Sequence, residues 1–368
     1  MKAKLANCTD PGLDAAVRKI VEELKDADAR LIVYFASTCY EPAALARQMA
    51  AAFPGVTTVG CTTAGEIISG RMLEHSISAM ALGSELVIRA EARLLGHVAA
   101  NAREAVTGAF ASFSQALGHD MSDLDHDRFV GIILADGLSV AEERLMDAIG
   151  DKTNIAFVGG SAGDDLKFQK THVFSGPAAA SDAAVLVVME AAVPFQILKT
   201  QSFRALPRKL VATKVNEPMR RVLEFNGQPA VAAYADAVGT TPEQAASRFM
   251  VNPVGLVVGD EIFVRSPQRI EGTSIYFYCS IVEGTELALL ESTDIVADTE
   301  KAVSAVGDAS AIIDFDCILR TLELRQKGQC DAYGCIFART PTLGFSTYGE
   351  EYIGHINQTS TMLVFRSK

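Results

Sequence analysis

The chain has no tryptophan, and its six histidines form neither HExxH nor a pair at metal-ligand spacing. A zinc-protease site is therefore excluded. Positive charge is not in excess either. The formal net charge is −12, which repels phosphate backbones and anionic lipid, so neither nucleic acid nor a membrane surface is an expected partner. No long hydrophobic run occurs. Stretches such as Ala183–Met189 stop well short of the roughly 18 residues of a spanning helix. The opening MKAKLANCTDPGLD lacks the apolar core of a secretory signal. The seven cysteines are scattered and odd in number, with no CxxC or CxxCH. That pattern predicts a reducing cytoplasm with buried thiols, and it excludes a disulfide framework or a zinc site. The sequons at Asn7 and Asn357 then carry no glycan. No Walker lysine follows Gly60 or Gly159, and there is no GxGxxG, so a nucleotide loop is not expected.

What is present is alternation. Leu13–Leu24 has helical spacing, Leu31–Ala36 is an apolar run of strand length, and Pro42–Phe53 reads as a helix stopped by Pro54-Gly55. Val56–Val59 is a second strand, delivered into "VTTVGCTTAGE" (Val56–Glu66). Strand–helix–strand favours a parallel pair buried under helices. The pattern recurs 99 residues later: "RLIVYFAS" (30–37) resembles "FVGIILAD" (129–136), and "TTVGCTTAGE" (57–66) resembles "AFVGGSAGD" (156–164) with one residue deleted. This predicts a duplicated α/β unit, residues 1–110 and 111–212, joined by the helix-like Asn101–Leu117 and the acidic loop Gly118–Asp127. His119 and His126 in that loop read as a solvated linker. From residue 213 to 368 the strand candidates are mostly hairpin-like, including Gly334–Phe337, and Glu217–Phe225 is amphipathic. That half reads as an α+β domain rich in antiparallel strands. The fold class is therefore α/β, with a duplicated N-terminal half and an α+β C-terminal domain.

Both glycine motifs end a strand, and α/β proteins place ligands at the carboxyl ends of strands. Cys61, Thr62, Thr63, Gly65 and Glu66, with Gly160, Ser161, Gly163, Asp164 and Asp165, are the candidate contacts. Small residues there admit a ligand to the backbone, or simply make a tight turn. Gly159–Gly163 also matches GxSxG, which would make Ser161 a nucleophile, but no long apolar-faced helix follows. Cys61 is either a thiolate nucleophile or a small buried residue. Near the C-terminus, "GFSTYGEEYIGHINQTSTMLVF" (344–365) concentrates Tyr348, Glu350, His355, Asn357 and Thr359 between two apolar strands. It is a well-bonded hairpin edge or a polar wall for a small ligand, with Arg320 offering a guanidinium to a carboxylate. His172 and His355 are core histidines, or present a ring nitrogen to a ligand or an iron.

Together "VGCTTAGE", "VGGSAGDD", "NGQPA", "FDCILR" and "TYGEEYIGHINQT" resemble the FIST family, with its FIST N and FIST C domains, over about Leu31 to Phe365. The resemblance implies a prokaryotic sensory module that binds a small ligand in signal transduction and is not an enzyme. One branch that this arrangement resembles consists of stand-alone FIST proteins that bind haem b, sense nitric oxide and modulate a partner histidine kinase. For this chain it implies a noncovalent haem with His355, or else His172, as axial ligand. The rival expectations are a sensor of an organic ligand such as an amino acid, and a cysteine or serine acyl-transfer enzyme.

Overall fold

The structure, a computed structural model, describes residues 3–367. It divides into two compact units: residues 3–199, 300–355 and 360–367 make one, and residues 200–299 with 356–359 make the other. The division expected at residue 212 follows neither, because the chain returns to the first unit after residue 299.

Local sequence explains the helices of the first unit. Leu13–Leu24 buries Ala16, Val17, Ile20 and Leu24 along one stripe. In Pro42–Ala52 the preceding Glu41 accepts from the amides of Ala43 and Ala44 at 3.1 and 2.5 Å, capping two orphan donors. Phe129–Ala135 is buried at every position, as a strand covered on both faces must be.

The first unit holds three six-stranded sheets built on one plan. In the first, Ala29–Ala36 and Thr57–Thr62 are parallel, with Ile77–Gly83 antiparallel beside Ala29–Ala36 and Ala3–Cys8 outside it. In the second, Phe129–Ala135 and Phe157–Ser161 are parallel, flanked by Ala183–Ala191 and then Val87–Gly96. In the third, Ala309–Cys317 and Thr342–Thr347 are parallel, flanked by Thr359–Arg366 and then Phe195–Gln201. The fold is α/β, with 28% helix and 41% strand. The repetition is threefold, where the sequence showed two copies. Tyr34 opposite Gly60, Ile133 opposite Gly159 and Asp314 opposite Gly344 occupy the same register position. The amide of Ala64 bonds the Ser346 carbonyl as that of Gly163 bonds the Thr62 carbonyl, so the 99-residue offset holds as far as Ala64 and Gly163 without the expected deletion.

Each parallel pair is followed by a short hairpin that lies on another sheet. The hairpin of Glu66–Ile68 and Arg71–Leu73 pairs with Thr342–Thr347 of the third sheet. That of Val173–Ser175 and Ala178–Ala180 pairs with Thr57–Thr62 of the first. That of Glu350–Glu351 and His355–Ile356 pairs with Phe157–Ser161 of the second. The exchange is cyclic.

Inner faces of the three sheets share one apolar core: Val33 and Phe35, Ile132 and Leu134, and Ile313 and Phe315 meet there. The Phe35 and Phe345 ring centroids are 4.4 Å apart. Outer faces pack under helices. Ile32 and Tyr34 lie with Ile20 and Met49, and Ile133 and Ala135 with Phe110 and Leu145. On the third sheet the outward positions are Asp314 and Asp316, and helices Ile318–Lys327 and Cys330–Ile336 cover them with Arg320 and Tyr333. Gly334–Phe337 is therefore not the expected strand; it lies in and just after the second of these helices.

The second unit is an antiparallel sheet in the order Glu261–Arg265, Val254–Val258, Glu286–Ser292, Phe203–Asn216, Arg221–Phe225, Ser274–Phe277, Pro267–Glu271, with Gln228–Pro229 against Arg221–Phe225. Helix Ala230–Val238 packs Tyr234 among Leu210, Phe225 and Phe277. Glu217–Phe225, amphipathic in sequence, is a short 3-10 turn and then a strand.

Candidate functional site

The motif glycines first solve a packing problem. A Cβ on Gly60 would lie 1.9 Å from the Tyr34 carbonyl oxygen, and one on Gly159 would lie 1.8 Å from that of Ile133. Gly160 lies against Thr347 and Phe345, Gly163 against the Ala64 amide, and Gly65 takes φ +131°. Their smallness admits neighbouring chain segments at the strand ends.

Cys61 is fully buried, and burial pushes its thiol well up, so it is not the activated thiolate weighed from sequence. Thr62 exchanges bonds with the backbone of His172: its amide donates to the His172 carbonyl at 2.9 Å, and its Oγ1 accepts the His172 amide at 2.9 Å. Glu66 is buried and accepts from Thr63 Oγ1, from Ser76 Oγ at 2.5 Å and from the Ser76 amide at 3.2 Å. Burial outweighs those donors and pushes its carboxyl up to about 8, so at neutral pH it is mostly protonated. Ser161 is buried and donates to Glu351 at 2.7 Å, with Glu142 at 3.3 Å. The His355 Nδ1 stands 3.8 Å from that same Glu351 oxygen. A carboxylate thus separates serine from imidazole, the reverse of the order a nucleophilic serine needs.

After Ser161 the second copy departs from the other two. Glu66 pairs with Phe345 and Glu350 with Gly160, five residues past Cys61 and Phe345 of their own copies. The corresponding strand of the second copy begins thirteen residues past Gly160, at Val173 opposite Cys61. The additional residues form the loop 164–172. Asp164 organises it. Its carboxylate accepts the amides of Phe168 at 2.7 Å, Gln169 at 2.6 Å and Lys170 at 2.9 Å. The Tyr348 hydroxyl donates to Asp164 at 2.6 Å and accepts from the amides of Asp164 and Leu166 at 3.2 and 3.0 Å. Asp165, Leu166 and Phe168 all take left-handed φ, at 54°, 62° and 52°. Non-glycine residues pay for that conformation, and such strain gathers where geometry is held for a purpose.

On this loop Asp165 accepts from Ser37 Oγ and the Thr38 amide, both at 3.0 Å, and from Thr38 Oγ1 at 2.5 Å. Lys167 donates to Thr38 Oγ1 at 2.8 Å, lies 3.5 Å from Asp165, and is half exposed. Half-exposed Phe168 stacks on Tyr348 with centroids 4.7 Å apart. Ser37, Thr38 and Lys167 were not singled out in sequence. Ser37 stands 99 positions before Asp136, at the end of the corresponding strand, which was the available signal.

The structure scatters the C-terminal constellation. Arg320 is buried and bound to Asp316 at 2.7 Å, with Tyr333 donating to Asp316 at 2.9 Å, so its guanidinium belongs to the third sheet's outer layer. Burial first, then Asp316, holds the Asp314 carboxyl well up. Glu350 is buried in the hairpin opposite Gly160. Asn357 and Thr359 belong to the second unit, where the intervening Gln358 bonds Ser266 at 2.7 Å and the Met250 carbonyl at 2.9 Å.

A haem needs an accessible imidazole nitrogen beside a porphyrin-sized slot. His355 is 4% exposed, and its Cε1 and Nε2 edge sits so near Gly349 that a Cβ there would meet them at 2.1 and 2.9 Å. Burial and Lys170 lower the His172 pKa, leaving a neutral ring whose Nδ1 is enclosed. Cavities of about 510, 430 and 360 Å³ in the first unit are lined by other residues. The surroundings of these two histidines do not fit a haem. Among the described residues no group of three or more histidine, cysteine, aspartate or glutamate side chains is placed to hold a metal ion, and no helix is long and apolar enough to cross a membrane.

Residues 30–228 match the FIST N domain and residues 230–352 the FIST C domain. The chain is also similar to a protein of Methanocaldococcus jannaschii described as uncharacterized, at 22% identity over 201 residues. That match covers 50% of this chain and 38% of the relative's length.

Proposed function

The chain belongs to the FIST family, whose domains are sensory, bind small ligands and are associated with signal transduction; from that premise we propose a cytoplasmic, non-catalytic sensor of an amino-acid-like zwitterion. The ligand meets the outer edge of the loop 164–170, its ammonium at Asp165 and Thr38 and its carboxylate at Lys167. Occupancy is then read by a signalling partner, with a histidine kinase as the partner class. The observation that carries this reading is Asp165 beside Lys167 on a strained loop, held from beneath by Asp164 and Tyr348. An anion and a cation fixed a few ångströms apart complement a zwitterion, and a preorganised loop spares the ligand the cost of ordering it. The buried Cys61 and Ser161 support a role without covalent chemistry.

A thermal-shift panel of the common amino acids tests it. A ligand at one hundred times its dissociation constant adds about 2.7 kcal/mol to stability, so a binder raises Tm by several degrees. The shift should vanish in both Asp165→Asn and Lys167→Met. A panel with no stabilising amino acid, or a shift that survives both substitutions, would remove the proposal. A stoichiometric Soret band on haem titration, lost with His172→Ala or His355→Ala, would put the haem-based nitric-oxide sensor in its place.

A further inference from the structure

The largest of the three cavities, about 510 Å³, lies far along the second sheet from the loop 164–172, where the helix Glu142–Gly150 ends and the tip of the 350–356 hairpin turns. Its size falls within the range of small-molecule pockets. Met146, Ile149, Ile155 and Phe157 make a buried apolar floor. Tyr352, Ile353 and Gly354 make one wall. Arg103, Asp147 and Asp151 stand at the rim.

The rim has a sign. Arg103 is already engaged with Asp151 at 2.6 Å, so the second carboxylate, Asp147, leaves the rim negative. The helix Glu142–Gly150 also ends here, with no basic residue in its last turn. The field at a helix C-terminus favours a cation. Ile353 stands over the mouth, 75% exposed, with a left-handed φ of 52° that a β-branched residue rarely adopts. The turn is closed by the Tyr352 amide donating to the Gly354 carbonyl at 2.9 Å. An apolar residue so placed gains cover when something fills the space below it.

We infer that this cavity is a second binding site, distinct from the loop 164–170, for a small amine carried on an aromatic or branched apolar body. The apolar body lies on Ile149, Ile155 and Phe157 beneath Ile353, and the ammonium faces Asp147. The same hairpin carries Glu351, which accepts from Ser161 at 2.7 Å, so an occupant at the tip bears on the exchanged strand itself.

Isothermal titration of the full chain with three matched probes tests this: 2-phenylethylamine, 2-phenylethanol and 3-phenylpropionate. The amine is expected to bind saturably, the alcohol at least fivefold more weakly and the carboxylate not at all. Asp147→Asn should weaken the amine about fivefold. Arg103→Gln, which releases Asp151, should tighten it; a merely structural role for Arg103 gives no such gain. Ala156→Trp, which fills the cavity from its exposed side, should abolish binding while the circular-dichroism melt confirms a folded chain. Asp165→Asn should leave the amine titration unchanged, so this site and the amino-acid reading stand or fall separately. Carboxylate binding as tight as the amine's, no amine binding at millimolar concentration, or binding unaltered by both Asp147→Asn and Ala156→Trp would overturn the inference.

Discussion

The Tyr348 hydroxyl, from the third copy of the repeat, donates to the Asp164 carboxylate of the second at 2.6 Å while accepting two amides of the loop that Asp164 begins. One hydroxyl therefore holds a strained loop in place. Tyr348→Phe leaves those amides and the carboxylate with less than they need. A loss of about 1 to 3 kcal/mol is expected in urea unfolding. Amide exchange in residues 164–170 should quicken by an order of magnitude or more, while the central strands stay protected. A loop whose exchange is unchanged would show that Asp164 alone suffices.

Glu66 makes the first unit sensitive to pH in one direction. Its folded carboxyl titrates at about 8, above the ordinary value of roughly 4.3 for an unfolded chain. The native state thus binds the proton more tightly, and the stability this gives is complete below about pH 4 and is lost as pH rises toward 8. Unfolding free energy should fall by up to about 1.4 kcal/mol per pH unit from this group across that window. Glu66→Gln should flatten the slope between pH 5.5 and 7.5. An unchanged slope would assign the effect to the similarly raised Asp314.

Gly159→Ala places a methyl 1.8 Å from the Ile133 carbonyl oxygen, part of the parallel ladder, which cannot step aside. A loss above about 3 kcal/mol, or no folded protein, is expected. Gly108→Ala, in the helix Val98–Leu117 with open space around it, should be neutral or gain up to about 1 kcal/mol. Equal tolerance at both positions would contradict the close approach of these strands.

Removing Arg320 strands its partner. Arg320→Met should cost about 3 to 5 kcal/mol, and more at pH 8 than at pH 5, where Asp314, held up to about 8, is protonated. Denaturation at the two pH values reads the difference directly. Equal losses would mean the aspartates do not share their charge with Arg320.

Native alkylation separates the cysteines by exposure. With iodoacetamide at pH 8.5, Cys39 and Cys335 should be modified and Cys8, Cys61 and Cys317 protected, as read by peptide mass spectrometry. Modification of Cys61 ahead of Cys39 would restore the thiol-enzyme reading that its burial opposes.

Much of this architecture was legible. Continuous apolar runs such as Leu31–Ala36 and Phe129–Ala135 are buried parallel strands, and their 99-residue offset is a true structural register. The third copy escaped for a physical reason. Its central strand, Ala309–Cys317, points Asp314 and Asp316 outward where the other copies have apolar or small residues, so the run looks broken. Its motif was still visible: Gly344, Thr347, Gly349 and Glu350 follow Gly60, Thr63, Gly65 and Glu66 at one offset of 284. The hairpin exchange could not be read, because strands of two or three residues carry no pattern that names a partner sheet. The same holds for the candidate site. Asp164 and Asp165 were named, but their roles as loop organiser and as the acceptor for Ser37 and Thr38 follow from Tyr348 and Thr38, which only folding brings near.

The cyclic exchange also sets a timetable for synthesis. When Phe157–Ser161 leaves the ribosome, the strand that will close its outer edge, Glu350–Glu351, lies about 190 residues downstream. At about 5 to 20 residues per second, that edge stays bare for roughly ten to forty seconds. A bare edge is a template for any other nascent chain. The hairpin of Glu350–Glu351 and His355–Ile356 thus acts as the stopper for a sheet made early, and a ribosome stalled before residue 350 releases a chain whose second sheet is open to its neighbours.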